Sequence, residues 1–326
     1  LDSTGANGSA GLYKDNGDGW LTITDETDDE GKEITSAKTN GSGSLTAKTE
    51  KLYGGAAIGG VGQKDTKNII IEGYATVNAF GSECGAGIGG GGFSGWGQSG
   101  NAENIIIRGH SNVTATSCDG AAIGGGSSFS HHSSGSATGI WIYGHATVNA
   151  STSGNGAAIG AAGNKDKDTE AEVTIGTAGA TAEQEDVHVT ASGLYGSAIG
   201  SGTKDTKVTI QGHATIRMES RKNSTAIGSN YGDVEVNIKD NVTIDAKDEG
   251  TSIRYEGGGS GIGGGDIRGD SNRKVVVNID GGTNGKVKIG DYIQIIGEYG
   301  AISGTEVKIG DNVLLKMKPW ESPEAK

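Results

Sequence analysis

In one segment of the chain, residues 139–143, hydrophobic residues typical of a buried strand face alternate with residues that can contact a sugar. Within it Trp141 and Tyr143 are two positions apart, so in an extended strand both side chains lie on one face. An aromatic ring covers the C–H surface of a sugar, and neighbouring polar groups bind its hydroxyls. The same positions of the preceding repeat hold Ile106 and Arg108. These residues predict a sugar-binding platform; the alternative is that a neighbouring loop covers Trp141, which then only completes the packing.

Two loops rich in glycine and serine border this platform. Each loop lies between an Ala-Ile-Gly segment and the next strand, and together they carry Trp96 and Phe129. We expect one of these side chains to close over Trp141; the alternative is a hydrophobic lid that folds back over the strands. The predicted ligand-binding residues are the aromatic platform, its polar neighbours, which would bind hydroxyls, and the two loop residues: Trp141, Tyr143, His145, His110, Arg108, Glu72, Trp96 and Phe129.

Four polar residues near the strand-ending glycines form a second candidate cluster. His110, His145, Asp186 and His213 occupy matching places on successive repeats, and stacked strands are about 5 Å apart. Two imidazoles and a carboxylate at that spacing can share a metal ion. Because the ligand set has no clear third and fourth member, we favour a polar ladder and assign no metal site.

The segment between residues 14 and 25 has some of the spacing of a calcium-binding loop. Its first ligand position holds Lys14, the wrong residue type, and no amphipathic helix follows. We therefore predict a β-hairpin turn that joins Leu12 and Tyr13 to the strand beginning at Trp20. No cofactor is expected, and calcium in this loop is kept as the alternative.

A repeat defines the elements that position these residues. A Gly-Ala-Ala-Ile-Gly segment recurs with small variations, and successive copies of its isoleucine are 28 to 40 residues apart. That period is typical of stacked structural repeats. The eight isoleucines are Ile58, Ile88, Ile123, Ile159, Ile199, Ile227, Ile262 and Ile302.

Each repeat continues with two further extended segments that meet at a glycine, such as Gly73 or Gly109. Period-two alternation points Ile69, Ile71 and Val77 inward, and no segment keeps a helical period. The sequence thus predicts an all-β fold. We expect a right-handed, single-stranded parallel β-helix of about eight coils with three short strands each.

Composition narrows the classes of partner. The chain has 326 residues with 62 glycines, 33% hydrophobic residues and a formal net charge of −13. This charge argues against binding to nucleic-acid phosphates or to an anionic membrane surface. No stretch approaches the roughly 20 apolar residues of a membrane helix. Neutral glycans, proteins and cations remain as candidate partners.

The ends of the chain differ from the repeats, as the caps of a solenoid do. We expect an N-terminal cap with a β-hairpin over residues 1–50, the β-helix over 51–318 and a C-terminal tail or linker over 319–326. No signal peptide is visible at the start. The tail suggests flanking domains in a longer chain.

Two cysteines, Cys84 and Cys118, occupy nearly matching places on adjacent predicted coils. Strand stacking would bring them about 5 Å apart, a distance that suits a disulfide. A one-residue offset would aim the side chains apart and leave two packed thiols. Both alternatives stay open at the level of sequence.

The Gly-Ala-x-Ile-Gly-Gly segment followed by an Asn-Ile-x-Ile-x-Gly strand resembles the Gly-rich repeats of large secreted or cell-wall-attached proteins of gut Firmicutes. The resemblance covers roughly residues 53–315. It implies a right-handed β-helix of the pectate-lyase-like architecture, a carbohydrate-binding or adhesin-like role, and a secreted or cell-surface bacterial location. Enzymes of this architecture usually place several Asp, Lys or Arg on one strand face, whereas the Ala-Ile-Gly face offers only Gly, Ala and Ser.

These observations lead to one leading hypothesis and two alternatives. We expect a non-catalytic glycan-binding or adhesive module of a secreted bacterial surface protein, with a glycan or polysaccharide as partner. Neither nucleic-acid binding nor membrane insertion is expected. A β-helix glycoside hydrolase or polysaccharide lyase would instead show exposed carboxylate pairs in a groove. A structural stalk would show a smooth exterior without exposed aromatic side chains.

Overall fold

The protein is an all-β solenoid of stacked coils, as the repeat predicts. The computed structural model describes residues 1–5, 8–25, 43–49, 54–93, 97–128, 134–163, 169–201, 205–220, 225–229, 231–248, 261–265, 273–290 and 302–315. Strands of adjacent coils pair in parallel and form three sheets. No helix occurs in these ranges, and none there could therefore span a membrane. The predicted parallel β-helix is confirmed.

Sheet 1 contains the Ala-Ile-Gly segments. Its nine described strands are Leu12–Tyr13, Ile58–Gly59, Ile88–Gly89, Ile123–Gly124, Ile159–Ala161, Ile199–Ser201, Ile227–Ser229, Ile262–Gly264 and Ile302–Ser303. The isoleucines lie in register, since Ile123 pairs with Ile88 on one side and with Ile159 on the other. All three of these side chains are fully buried, so the predicted inward stack of isoleucines is confirmed here.

Sheet 2 contains the second segment of each repeat. Its nine described strands are Leu21–Ile23, Thr66–Ile71, Ala102–Ile107, Ala137–Ile142, Ala171–Ile175, Thr206–Ile210, Val234–Lys239, Val275–Asp280 and Glu306–Ile309. The predicted alternation is confirmed: Ile69, Ile71, Ile105 and Ile107 are fully buried, and the residues between them face outward.

Sheet 3 contains the third segment. Its ten described strands are Asp2–Ser3, Ser44–Thr49, Thr76–Phe80, Asn112–Ser117, Thr147–Thr152, Val187–Gly193, His213–Ser220, Asn241–Asp248, Val287–Gly290 and Val313–Leu315. Val77 and Val113 are fully buried, as alternation predicts. Sheets 2 and 3 meet at the expected glycines; Gly109 and Gly144 have φ values of 70° and 79°, which favour glycine.

The N-terminal residues do not form the predicted hairpin. Leu12–Tyr13 pairs with Ile58–Gly59 in sheet 1, whereas Leu21–Ile23 pairs with Ile69–Ile71 in sheet 2, so the two strands belong to different sheets. The physical reason is burial: Leu12, Leu21 and Ile23 pack against the core of the next coil, which a projecting hairpin would not allow.

The prediction of an N-terminal hairpin is therefore wrong. Leu12–Tyr13 instead adds a ninth described strand to sheet 1, next to the strands of the eight isoleucines. The predicted boundary between cap and solenoid near residue 50 stays a prediction. The predicted tail, 319–326, lies outside the described residues.

Candidate functional site

Trp141 projects from the outer face of sheet 2. Its neighbours Ile140 and Ile142 are fully buried, so alternation directs the indole outward, where the residue is 44% exposed. Its strand lies between those of Ile106 and Thr174, which are its register partners. In this structure the indole is therefore partly open to solvent, as a stacking platform requires.

The outward column through Trp141 continues onto the following coils of sheet 2. Thr174 lies between Trp141 and Thr209, because residues 171–175 provide an additional strand of sheet 2. The pairing shifts at Gly139, which adds one residue to the strand of Trp141 relative to the next strand. Gly139 has a φ of 68°, so glycine suits this bulge.

Beside the indole, three polar side chains connect neighbouring coils. The guanidinium of Arg108 donates from Nε to Oε2 of Glu72 at 2.7 Å and from Nη1 to Oη of Tyr143 at 3.2 Å. Nη2 also contacts the same carboxylate oxygen. Hydrogen bonds to Tyr143 and to Glu72 raise the pKa of Arg108 above its ordinary value. The structure thus brings these three predicted site residues together in one hydrogen-bonded ladder.

The next column is a stack of rings at the corner between sheets 2 and 3. Tyr74 and His110 stack with ring centroids 4.6 Å apart, and His110 stacks on His145 at the same distance and an interplanar angle of 4°. The backbone holds this spacing, since the N–H of His145 donates to the carbonyl of Gly109. Both histidines of the predicted site therefore belong to one column of stacked aromatic rings at this corner.

Farther along the same column, the carboxylate of Asp186 contacts two histidines, one with each oxygen atom, so the two imidazoles do not converge on a shared metal position. Its Oδ1 lies 3.2 Å from Nδ1 of His213, and its Oδ2 lies 3.2 Å from Nε2 of His188. Because the two oxygen atoms face different imidazoles, the arrangement is that of a polar ladder. No three His, Cys, Asp or Glu residues converge on a metal position within the described ranges.

The two predicted loop residues, Trp96 and Phe129, lie outside the described residues, so their expected closure over Trp141 stays a prediction. The loops that carry them begin at comparable places on adjacent coils, since Phe93 and Ser128 form an isolated parallel bridge.

A groove runs along the outer face of sheet 2 beyond Trp141, and the sequence analysis did not predict it. Its volume is about 630 Å³. Acidic and lysine side chains line it together with small residues: Thr138, Glu170, Ala171, Glu172, Asp205, Thr206, Lys207, Asp233, Val234, Glu235, Lys274, Val276, Glu306 and Lys308. The available signal was the outward position of Glu172, Lys207 and Glu235 in three successive strands.

A hydrogen-bonded corner forms one side of this groove. Side-chain oxygen atoms there accept backbone N–H groups of the next coil: Asp233 N donates to Oδ1 of Asp205 at 3.0 Å, and Lys274 N donates to Oδ1 of Asp233 at 2.8 Å. The same pattern occurs at Asn101, whose Oδ1 accepts from Ser136 N at 2.8 Å. These bonds hold the corner in a regular ladder.

In the segment kept as an alternative calcium site, the ammonium group of Lys14 contacts several oxygen atoms. Its Nζ lies 2.8 Å from the carbonyl oxygen of Asp15, 3.0 Å from that residue's Oδ1 and 3.0 Å from the carbonyl oxygen of Gly17. The hydrogen bond from Lys14 lowers the pKa of Asp15, assisted by the N–H of Gly17. A lysine therefore supplies positive charge at the place where the first ligand of a calcium loop would lie.

No disulfide joins the two cysteines in this structure, in which Cys84 is buried and Cys118 is partly buried. The backbone N–H of Asp119 donates to the carbonyl of Glu83, so Cys118 stands opposite the residue before Cys84. This pairing corresponds to the predicted offset of the two side chains.

Comparisons of the chain with protein-family models, with curated proteins and with solved structures gave no match. The functional argument therefore rests on the geometry of the outer face of sheet 2.

Proposed function

We propose that the chain is a non-catalytic glycan-binding module of a secreted bacterial surface protein and that Trp141 is its stacking platform. The observation that carries the proposal is the exposed indole on the outer face of sheet 2, near polar side chains that hold one another in place. A sugar stacked on Trp141 would meet the hydrogen-bonding groups of Tyr143 and Arg108 at its edge.

The ladder beside the indole supports this function because it makes the polar groups rigid. Arg108 has five N–H donors, and the contacts to Glu72 and Tyr143 use three of them. A binding site that is already ordered loses less side-chain entropy when the ligand arrives. The stack of His110 on His145 extends the same rigid surface by one column.

A glycan array followed by titration of the best ligand tests the proposal. Stacking on one aromatic ring contributes about 1–1.5 kcal/mol, so Trp141→Ala should weaken binding about tenfold. Tyr195→Ala is the matched control, because Tyr195 is similarly exposed (46%) but lies at the corner between sheets 3 and 1. Equal affinity of the Trp141→Ala variant and the parent protein would refute the site.

A β-helix glycoside hydrolase is the second candidate, and the carboxylates of the groove favour it. Glu172 and Glu235 face outward two coils apart, which corresponds to about 9.6 Å between their strands, near the spacing of an inverting pair. It ranks second because a general acid needs a sheltered setting, and Glu235 is exposed. Release of reducing ends from the best array ligand, abolished by Glu235→Gln, would establish the hydrolase instead.

A structural stalk has less support than either. The exterior is not smooth in the described part of the chain, where Tyr13, Trp20 and Tyr231 are exposed in addition to Trp141. Failure of every glycan to bind would favour the stalk over the glycan-binding module.

A further inference from the structure

The groove and the proposed sugar platform are parts of one surface. Thr138 lines the groove and lies on the same strand as Trp141, on the same outer face of sheet 2. From this strand the groove continues across five further strands to the one that contains Glu306. At about 4.8 Å per strand, its length along the solenoid axis is roughly 24 Å. A ligand of that length is a chain of several sugars, not a single ring.

The charges of the groove point to the type of chain. Six carboxylates line it against three lysines. Two of the lysines already have partners in the wall: Lys207 lies 3.4 Å from Glu172, and Lys308 lies 2.6 Å from Glu306. The remaining carboxylates leave the groove net negative, as is the whole chain at −13. A polyanionic sugar chain would be repelled, and a polycationic one would be attracted.

The carboxylates are regularly spaced because the coils stack at a regular distance. Asp205 and Asp233 precede the paired residues Thr206 and Val234 on adjacent coils, whose strands are about 4.8 Å apart. Their Oδ1 atoms hold backbone N–H groups of the following coil, which keeps both carboxylates at the rim. Successive cationic groups on an extended polymer can therefore each meet a carboxylate without a rearrangement of the wall.

We infer that the ligand of this face is a linear polysaccharide that bears free amino groups, with one sugar stacked on Trp141 and the following sugars lying along the groove. This inference rests on the proposed glycan-binding function. It adds the class of ligand, which is an amine-bearing polysaccharide instead of a neutral or acidic one, and the orientation of the polymer along the groove.

Isothermal titration with four hexamers tests the inference in mildly acidic buffer, where amines and carboxylates are both charged. The four are a β-linked glucosamine hexamer, its fully N-acetylated counterpart, a galacturonic acid hexamer and hexalysine. We expect the glucosamine hexamer to bind at least about tenfold more tightly than the acetylated one, since each exposed ion pair is worth up to about fivefold. Raised salt should remove most of this preference.

Substitutions that remove a charge and keep the size of the side chain test whether the groove causes the preference for the glucosamine hexamer. Glu170 and Glu235 are exposed and line the groove, so the double variant Glu170→Gln/Glu235→Gln should lower glucosamine-hexamer affinity about fourfold to tenfold and leave acetylated-hexamer affinity unchanged. The double variant Glu83→Gln/Glu183→Gln is the control, because both residues lie at other corners of the solenoid.

Each outcome separates the inference from the function on which it rests. Trp141-dependent binding of neutral glycans, with no preference for amines and no effect of the groove variant, overturns the inference and leaves the proposed function intact. Tighter, groove-dependent binding of hexalysine than of any sugar also overturns it, in favour of a cationic peptide. If none of the sugar hexamers and no glycan on the array binds, the inference and the proposed function both fail.

Discussion

Gly124→Ala is the substitution that most directly tests how the coils stack. Gly124 ends a short strand of sheet 1 and has a φ of 140°, a conformation that L side chains rarely adopt. A Cβ atom at this position would lie 1.9 Å from the carbonyl oxygen of Gly160 on the next coil. A methyl group therefore meets backbone, not a side chain that can rotate away.

The expected cost follows from these two features. Holding alanine at this φ costs about 1–3 kcal/mol. The carbonyl of Gly160 would also have to retreat by about 1 Å to reach a tolerable separation, and overpacking of a dense interior costs another 1–3 kcal/mol or so. We expect Gly124→Ala to lower the free energy of unfolding by about 2–6 kcal/mol. Because coils contact only their neighbours, the loss should be concentrated where these two coils meet.

Urea unfolding followed by circular dichroism measures the loss, and limited proteolysis locates it. The parent protein and Gly19→Ala are the references, since a Cβ at Gly19 meets nothing within 4 Å. Gly19→Ala should be neutral or slightly stabilising, by up to about 1 kcal/mol. If Gly124→Ala unfolds at the same urea concentration as Gly19→Ala, the close stacking of glycines in sheet 1 is not what holds adjacent coils together.

Side chains elsewhere in the solenoid give three more expectations. Ile123→Ala removes a fully buried member of the isoleucine stack and should cost about 2–5 kcal/mol in urea unfolding, whereas a cost below 1 kcal/mol or so would contradict its place there. A double-mutant cycle of Glu72→Gln and Arg108→Met, with free energies of unfolding measured by calorimetry, should give a coupling energy of about 1 kcal/mol. This value is discounted because the Arg108 side chain is 38% exposed. Additive effects of the two substitutions would show that the ladder contributes nothing to stability. The hydrogen bond from Lys67 lowers the pKa of Asp18 below its ordinary 3.8, so the stabilisation is present above that value and is lost as pH falls through the lower, folded-state pKa. In carboxyl NMR titration, Lys67→Met should return the Asp18 pKa towards 3.8, and no change would disprove the contact.

Much of the fold was predictable because each coil repeats a short local pattern. One isoleucine per copy and a two-residue period were enough to place Ile88 beside Ile123 and to send Ile105 and Ile107 inward. The first coil was not predictable in this way. Leu12–Tyr13 has only two residues in its strand and no Ala-Ile-Gly copy, so the glycines after it suggested a hairpin, whereas burial against the next coil decided the structure.

The sequence predicts which site residues align across the coils, but not which of their side chains contact one another. Alternation and the corner glycines put Arg108 and Tyr143 on one line, yet the hydrogen bond between them depends on side-chain rotamers that periodicity does not specify. The groove was missed because outward charges such as Glu172 and Lys207 are typical of any solvated strand face. Only the register across coils shows that such residues line one continuous groove.

The stacked architecture also indicates where the function must be encoded. Inward positions hardly vary from coil to coil, because each must fill the same thin core beside its neighbours. The outward column of sheet 2 varies widely, from Ile106 to Trp141, to Thr174 and finally to Lys308. Changes in that column cost the fold little, since its side chains take no part in the core. A ligand that distinguishes this protein from any other stack of similar coils must therefore contact this column and the groove beside it.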